Sequence, residues 1–474
     1  MRDHPSLSFA VQVNQNKYLA PTDQGMHVVV TVRASRAGAP AACAPPRVAE
    51  VLLVDCSSSM DWPPTKIDAA RHACRVAIDT LRDGALFGVV EGTGAAKLVY
   101  PAGPGLAVAD ARTRREAKAA VSGMIASGGT AMSTWLDLAR ELFERSPAPV
   151  RHAVLLTDGN NQSEAPGALD DALDRCRDRF ACDARGIGAD WEPMQLRRIA
   201  SALGGRADAV VADDLLADDF RQLVEQAMGR TAPEVRLRLR LMPRTGLRFV
   251  KQVFPALVDL TGRCRDAGEA IEVPIGDWGQ DQREYHLCLD VDTAALTRGR
   301  DRLLGVVALV VADEHGTGAE RAVVGHLTDD LELSSVLDNN VAQVTDQAEL
   351  ARAVDGGWVA VNRGDLVEAA REWGAAHRLA IALGHTELRD RLEKLIEARP
   401  GGQVVIKDEV DPRYRHSAIL PPTISSHVNV NPLPRSPLVQ EAGAPRTCGG
   451  CGRAARPTAK CCGHCGTAFT GDTP

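Results

Sequence analysis

The chain has 474 residues, 45% of them hydrophobic and 25% charged, with a formal net charge of −7. That length exceeds the size at which a single hydrophobic core stops growing, so several domains are expected. The mild acidity excludes general nucleic-acid binding, and no apolar run approaches the ~20 residues of a membrane helix.

The amino terminus, Met1-Arg2-Asp3-His4-Pro5-Ser6, lacks the basic and apolar blocks of a signal peptide, so a cytoplasmic protein is expected. Residues 7–20 and 26–32 alternate as two strands. They have no partners nearby, because residues 37–46 form an Ala/Pro/Gly linker. Segment 1–46 is therefore assigned to a sheet completed far downstream.

Residues 47–230 alternate between strand and helix. Four apolar β-formers, Val51 to Val54, run into Asp55, Ser57 and Ser59, as a buried parallel strand delivers polar groups to its carboxyl end. Helices are predicted over 66–81, with Ile67, Ala70, Cys74, Ile78 and Leu81 on one stripe, and over 112–125, 130–143, 168–180, 194–203 and 215–228. Strands are predicted at 86–90, 97–100, 152–157, 184–188 and 209–211. The implied sheet is doubly wound and mostly parallel, with one antiparallel edge.

Three loops fall at one end of that sheet. They carry Asp55, Ser57 and Ser59 in D-x-S-x-S spacing, Thr130 after Ser127-Gly128-Gly129, and Asp158 before Gly159. Oxygen donors with little negative charge suit a small hard cation. In this order the motifs resemble the von Willebrand factor A family over roughly residues 47–229, whose metal-ion-dependent adhesion site has these five side chains. The resemblance implies Mg²⁺ or Mn²⁺ held directly by Ser57, Ser59 and Thr130, with Asp55 and Asp158 acting largely through water. It also implies an open coordination position that takes an acidic side chain of a partner protein. Trp62 and Asn160 frame that face. Trp62 is either a binding anchor or a lid on its own loop.

Residues 234–241 alternate strictly, with Arg236, Arg238 and Arg240 on one face; this is a solvated strand face, a sheet edge guarded by charge, or a binding face. Further strands at 247–254, 270–275, 285–291, 303–311 and 322–327 complete an antiparallel β-sandwich over 231–335, into which the α/β domain is inserted. Helical spacing over 341–361, 365–383 and 386–398 makes 336–399 a three-helix bundle. Prolines set among Ser, Asn and Gly make 400–446 a flexible linker.

Twelve cysteines divide into seven scattered singly from Cys43 to Cys288, read as reduced core residues, and five crowded into 448–465. Cys448, Cys451, Cys462 and Cys465 form paired C-x-x-C knuckles. They resemble a zinc ribbon over 447–470, with a closed Zn²⁺ shell and a structural role.

No histidine falls in the three metal loops, and neither a Walker lysine nor H-E-x-x-H occurs. The expected function is a non-catalytic scaffold whose metal captures a partner's Asp or Glu. Family association makes an AAA+ ATPase or a signalling protein the expected kind of partner. Two alternatives are a Mg²⁺-dependent phosphatase or hydrolase using Asp55 and Asp158, and a zinc-ribbon adaptor touching nucleic acid through Arg446, Arg453, Arg456 and Lys460.

Overall fold

The computed structural model describes residues 7–36, 47–255, 257–311, 320–334, 338–399, 404–407, 410–420, 446–447 and 454–455. Strands β1 (Leu7–Gln15) and β3 (Gly25–Arg36) pair antiparallel, Leu7 opposite Arg36 and Gln15 opposite Val28. Between them lies β2 (Tyr18–Leu19), which belongs to a different sheet. Residues 7–20, expected as one strand, therefore divide.

The α/β unit runs through β4 (Val48–Asp55), a 3-10 turn (Ser58–Asp61), α1 (Thr65–Thr80), β5 (Leu86–Gly92), β6 (Ala96–Tyr100), β7 (Ala107–Val108), α2 (Ala111–Ser122) and α3 (Met132–Glu144). It continues through β8 (Val150–Thr157), α4 (Ala168–Cys176), β9 (Ala181–Ile187), α5 (Pro193–Ala202), β10 (Gly204–Val210) and α6 (Leu216–Met228). Its sheet has the order β10-β9-β8-β4-β5-β6, with β7 also on β5, and only β6 and β7 are antiparallel.

Every residue of β4 is buried, because both faces are covered. Leu52 and Val54 pack with Ile67 and Ile78 of α1 and Phe220 of α6. Val51 and Leu53 pack oppositely with Trp135 of α3, Leu173 of α4 and Ile199 of α5. The period of two along the strand thus feeds two cores, which is what double winding requires.

After this unit come β11 (Ala232–Leu241), β12 (Thr245–Phe254), β13 (Val258–Asp259), β14 (Arg265–Asp266), β15 (Ile271–Trp278), β16 (Gln282–Val291), β17 (Asp301–Val310) and β18 (Arg321–Leu327). They form two sheets with the amino-terminal strands, ordered β1-β3-β16-β12-β13 and β14-β15-β11-β17-β18-β2. Val28 and Val30 of β3 share one core with Leu237 of β11, Tyr285 of β16 and Val307 of β17. Pairing is antiparallel except between β18 and β2. β11 lies between β15 and β17, so its arginine stripe is not a guarded edge. Arg236 and Arg238 reach Glu272 on β15, and Arg240 reaches Glu320.

The carboxyl-terminal part holds α7 (Leu331–Ser334), α8 (Asn339–Asn362), α9 (Leu366–Ala382), α10 (Thr386–Glu393), β19 (Ile396–Ala398), β20 (Val404–Ile406) and α11 (Pro412–Ile419). Two expectations are corrected here. The third helix stops at Glu393, and Ile396–Ala398 pairs antiparallel with Val404–Ile406 instead. The linker does not begin at 400 throughout, since α11 packs with Ala418, Ile419 and Leu420 buried, Leu420 in a core of the α/β unit. The reasons are local: an apolar Val-Val-Ile triplet, and Asp411 capping Arg413 N ahead of Pro412 at the first helical turn.

The chain divides into two compact units, Met1–Ser426 and His427–Pro474. In the second, Arg446–Thr447 pairs with Ala454–Ala455. Cys448, Cys451, Cys462 and Cys465, and with them the expected Zn²⁺ site, lie outside the described residues.

Candidate metal centre

Parallel strands β4 and β8 are neighbours in register, Val54 opposite Leu156, so their carboxyl ends bring Asp55 and Asp158 to one place. Both carboxylates are buried. Asp55 Oδ1 accepts from the Ser57 amide at 2.8 Å and Oδ2 from Thr157 Oγ at 2.5 Å, which fixes both its oxygens. Burial pushes its carboxyl up to about 6, against those hydrogen bonds and with the Asp158 charge adding to it. A buried carboxylate so placed gains from a cation nearby.

Ser59 Oγ donates to Asp158 Oδ1 at 2.7 Å and lies 2.9 Å from Ser57 Oγ. The Ser127–Ala131 loop is tied to this one by Ser127 N to Cys56 O at 2.6 Å and Ser58 N to Gly128 O at 2.9 Å. Gly159 shows the convergence directly. A Cβ there would stand 3.1 Å from Ser59 Oγ, 3.5 Å from Thr130 Oγ and 3.9 Å from Asp55 Oδ2. Side chains from two loops thus face one small space that the glycine of the third leaves free. All five predicted ligand residues gather there, and their oxygens fit a small hard cation.

Sequence reasoning missed several participants. Lys66, on the first turn of α1, donates to Asp158 Oδ2 at 2.7 Å with a side chain only 9% exposed. An ammonium therefore already holds one oxygen of Asp158. The segment framing the metal face also caps α3 from outside the helix. Thr130 N donates to Ser163 Oγ at 3.0 Å, Met132 N to Asn161 Oδ1 at 2.9 Å and Ser133 N to Glu164 Oε2 at 3.0 Å. Lone polar residues after a strand carry no sequence signal for capping a distant helix.

The site opens into a cavity of about 540 Å³ whose far wall carries Trp191, Trp358, Asn362 and His416. The His416 ring stands edge-on to Trp191 at 4.8 Å and to Trp358 at 5.6 Å. Burial, with Arg415 beside it, pulls His416 down to about 4, so it is neutral at physiological pH. Its Nδ1 and the Trp358 Nε1 are buried with no hydrogen-bond partner among the described residues. Asn160 lines the cavity. Trp62 does not line it and is 79% exposed rather than folded over its own loop.

Among the described residues no cluster of three or more His, Cys, Asp or Glu is arranged to hold a metal. The hydroxyl-rich cage is of a different kind, since three of its five side chains are alcohols. No described helix is long and apolar enough to cross a membrane.

A family model for the von Willebrand factor type A domain matches residues 50–209, the segment that carries all three loops. No curated protein matches the chain. Among solved structures, the von Willebrand factor type A protein from Catenulispora acidiphila is 39% identical, with 90% of this chain and 98% of that one covered and a TM-score of 0.83. The ArnB paralog VWA2 from Sulfolobus acidocaldarius, 16% identical, shares the fold over 88% of this chain and 98% of its own at a TM-score of 0.54. With identity at that level running through nearly the whole length of the first of these proteins, the chain belongs to the von Willebrand factor type A family.

Proposed function

We propose that this chain is a non-catalytic, divalent-metal-dependent protein-binding scaffold. Proteins of this family generally mediate protein–protein interaction, and the reading here is that Mg²⁺ or Mn²⁺ at the three-loop site captures a partner's Asp or Glu. The observation that supports it most is the space beside Gly159 faced by Ser59, Thr130 and Asp55, with Asp158 one hydrogen bond behind Ser59. A cation there would bind through Ser57, Ser59 and Thr130, with the two carboxylates behind them. It would supply an electrophilic position toward the cavity. The walls suit a protein segment: the exposed Asn160 and Asn362 offer amide groups for its backbone, and the buried Trp191 and Trp358 back the wall behind them.

The test is recovery of a partner from cell extract on the immobilised full chain in Mg²⁺. Loss of that partner on chelation, and again with Asp55→Ala, is the expected outcome. A partner held equally well in EDTA and by the variant rejects the reading.

A further inference from the structure

A second cavity, of about 300 Å³, lies at the amino ends of β8, β9 and β10, away from the metal loops, where the α/β unit meets the sandwich. Its α/β wall carries Arg151, Arg179 and Arg230, and its sandwich wall Arg236, Arg263, Arg265 and Arg283. Seven guanidinium groups there face three carboxylates, Asp178, Glu234 and Asp277, in a chain whose net charge is −7.

Three of these arginines are held by backbone carbonyls, which orient a guanidinium without neutralising it. Arg151 donates to the carbonyls of Ala148 and Ser146, and Arg263 to those of Ser201 and Ala202. Arg283 donates to the carbonyls of Ile275 and Asp277 as well as to Asp281. Arg265, at 2.8 Å, and Arg263, at 4.0 Å, share the single carboxylate of Asp178. Arg236 reaches Glu272 outside the lining, yet its Nε is buried without a partner. Arg179 and Arg230 make no side-chain hydrogen bond or ion pair among the described residues. Burial pushes the Asp277 carboxyl up, which weakens it as a counter-charge.

The backbone adds an independent sign. Only three described non-glycine residues take a left-handed φ, and two of them, Asp178 at 59° and Glu234 at 53°, line this cavity. Such conformations cost energy and persist where their surroundings impose them, often at binding sites.

We propose that this cavity binds a small polyanion, a molecule carrying a phosphate or diphosphate group. With Glu272 and Asp281 counted beside the three lining carboxylates, the guanidinium groups still exceed the acids by two, which calls for more than one negative charge on the ligand. Fixed guanidinium forks match the paired oxygens of a phosphate. The volume sits at the lower end for small-molecule sites and admits no duplex nucleic acid. This inference does not depend on the metal site.

The experiment uses the full chain in EDTA at constant ionic strength, titrated with pyrophosphate by calorimetry, with inorganic phosphate and succinate as parallel arms. Saturable one-to-one binding of pyrophosphate is expected, with a Kd at or below about 1 mM, and weaker binding of phosphate. Arg179→Gln with Arg230→Gln should weaken it at least about tenfold without lowering the melting temperature of the free protein. Arg179→Gln alone, at an exposed and unpaired position, is the second variant should the pair fail to fold, and it too should weaken binding. Arg298→Gln, far from the cavity and paired with Asp329, should change nothing. Heats that never saturate, or binding unaltered in both cavity variants, mean an adventitious ion only and overturn the proposal. So does succinate binding as tightly as pyrophosphate.

Discussion

Lys66 sets its ammonium against the carboxylate that stands behind Ser59 in the candidate site. A divalent ion at the proposed site would bind in the field of that ammonium, so the two cations would compete for Asp158. Lys66→Met should tighten Mn²⁺ binding by about tenfold, read by calorimetry on the free protein. The same change should destabilise the metal-free protein by about 3 kcal/mol, because it leaves Asp158 buried without a counter-charge. A second buried charge network lies deeper in the sheet. His152 bonds Glu50 at 2.8 Å through Nδ1 and Asp183 at 3.0 Å through Nε2. Burial alone would pull His152 down, but the two carboxylates outweigh it and its pKa is raised. Its contribution is then complete below the ordinary value of 6.5 and is lost as pH rises through the folded value. Asp183 is held far below the usual carboxylate range, against its own burial, by His152 and nearby arginines, and its contribution is lost as pH falls from 3.8. His152→Gln should therefore cost more stability at pH 6 than at pH 9 in urea denaturation.

Helices α8 and α9 meet where Gly357 lies under the Trp373 indole, whose Nε1 donates to Val354 O at 3.1 Å. A Cβ at 357 would come within 2.2 Å of the ring. Alanine is the better helix former by about 1 kcal/mol, but overpacking costs about 1–3 kcal/mol, so Gly357→Ala should lower the melting temperature. At this scale the sequence is most legible. The strict alternation of 234–241 gives β11, and the apolar run Val51–Val54 gives the buried β4, because burial on one or both faces writes itself into the residue pattern. The loops after β4 and β8 are legible for a related reason: each follows a strand whose end its polar residues must occupy, while the Thr130 loop, which follows α2, is marked by its paired glycines. Lys66 is not, since a lysine opening a helix is ordinary on a solvated face and only the fold turns it inward. The wall formed by Trp358 and His416 is equally hidden. It depends on α11, whose few apolar residues divide between two cores, Ala418 with the helices α8 to α10 and Leu420, just past its end, with the α/β unit.

For the molecule as a whole, strands from both ends of the α/β unit share sheets, and β3 sits between β1 and β16 near the middle of one of them. Removing residues 1–36 would take three strands, the valine row Val28, Val30 and Val32 with them, and would uncover Leu237 of β11, Tyr285 of β16 and Val307 of β17. The shortened chain should lose the sandwich while keeping the α/β core, read as a lost cooperative transition on heating with the parallel sheet still protected from hydrogen exchange. Helix α8 crosses between these parts. Its first turns place Val341 and Val344 against Val29 and Val253 of the sandwich. Midway, Asp355 takes both nitrogens of Arg197 from α5, at 2.7 and 2.8 Å. Its last turn brings Trp358 and Asn362 to the metal cavity. Twenty-four residues make a rod about 36 Å long. A guest that tilted one end of such a girder would have to shear the valines at the other, so occupancy of the mouth would be felt as strain in a sheet it never touches.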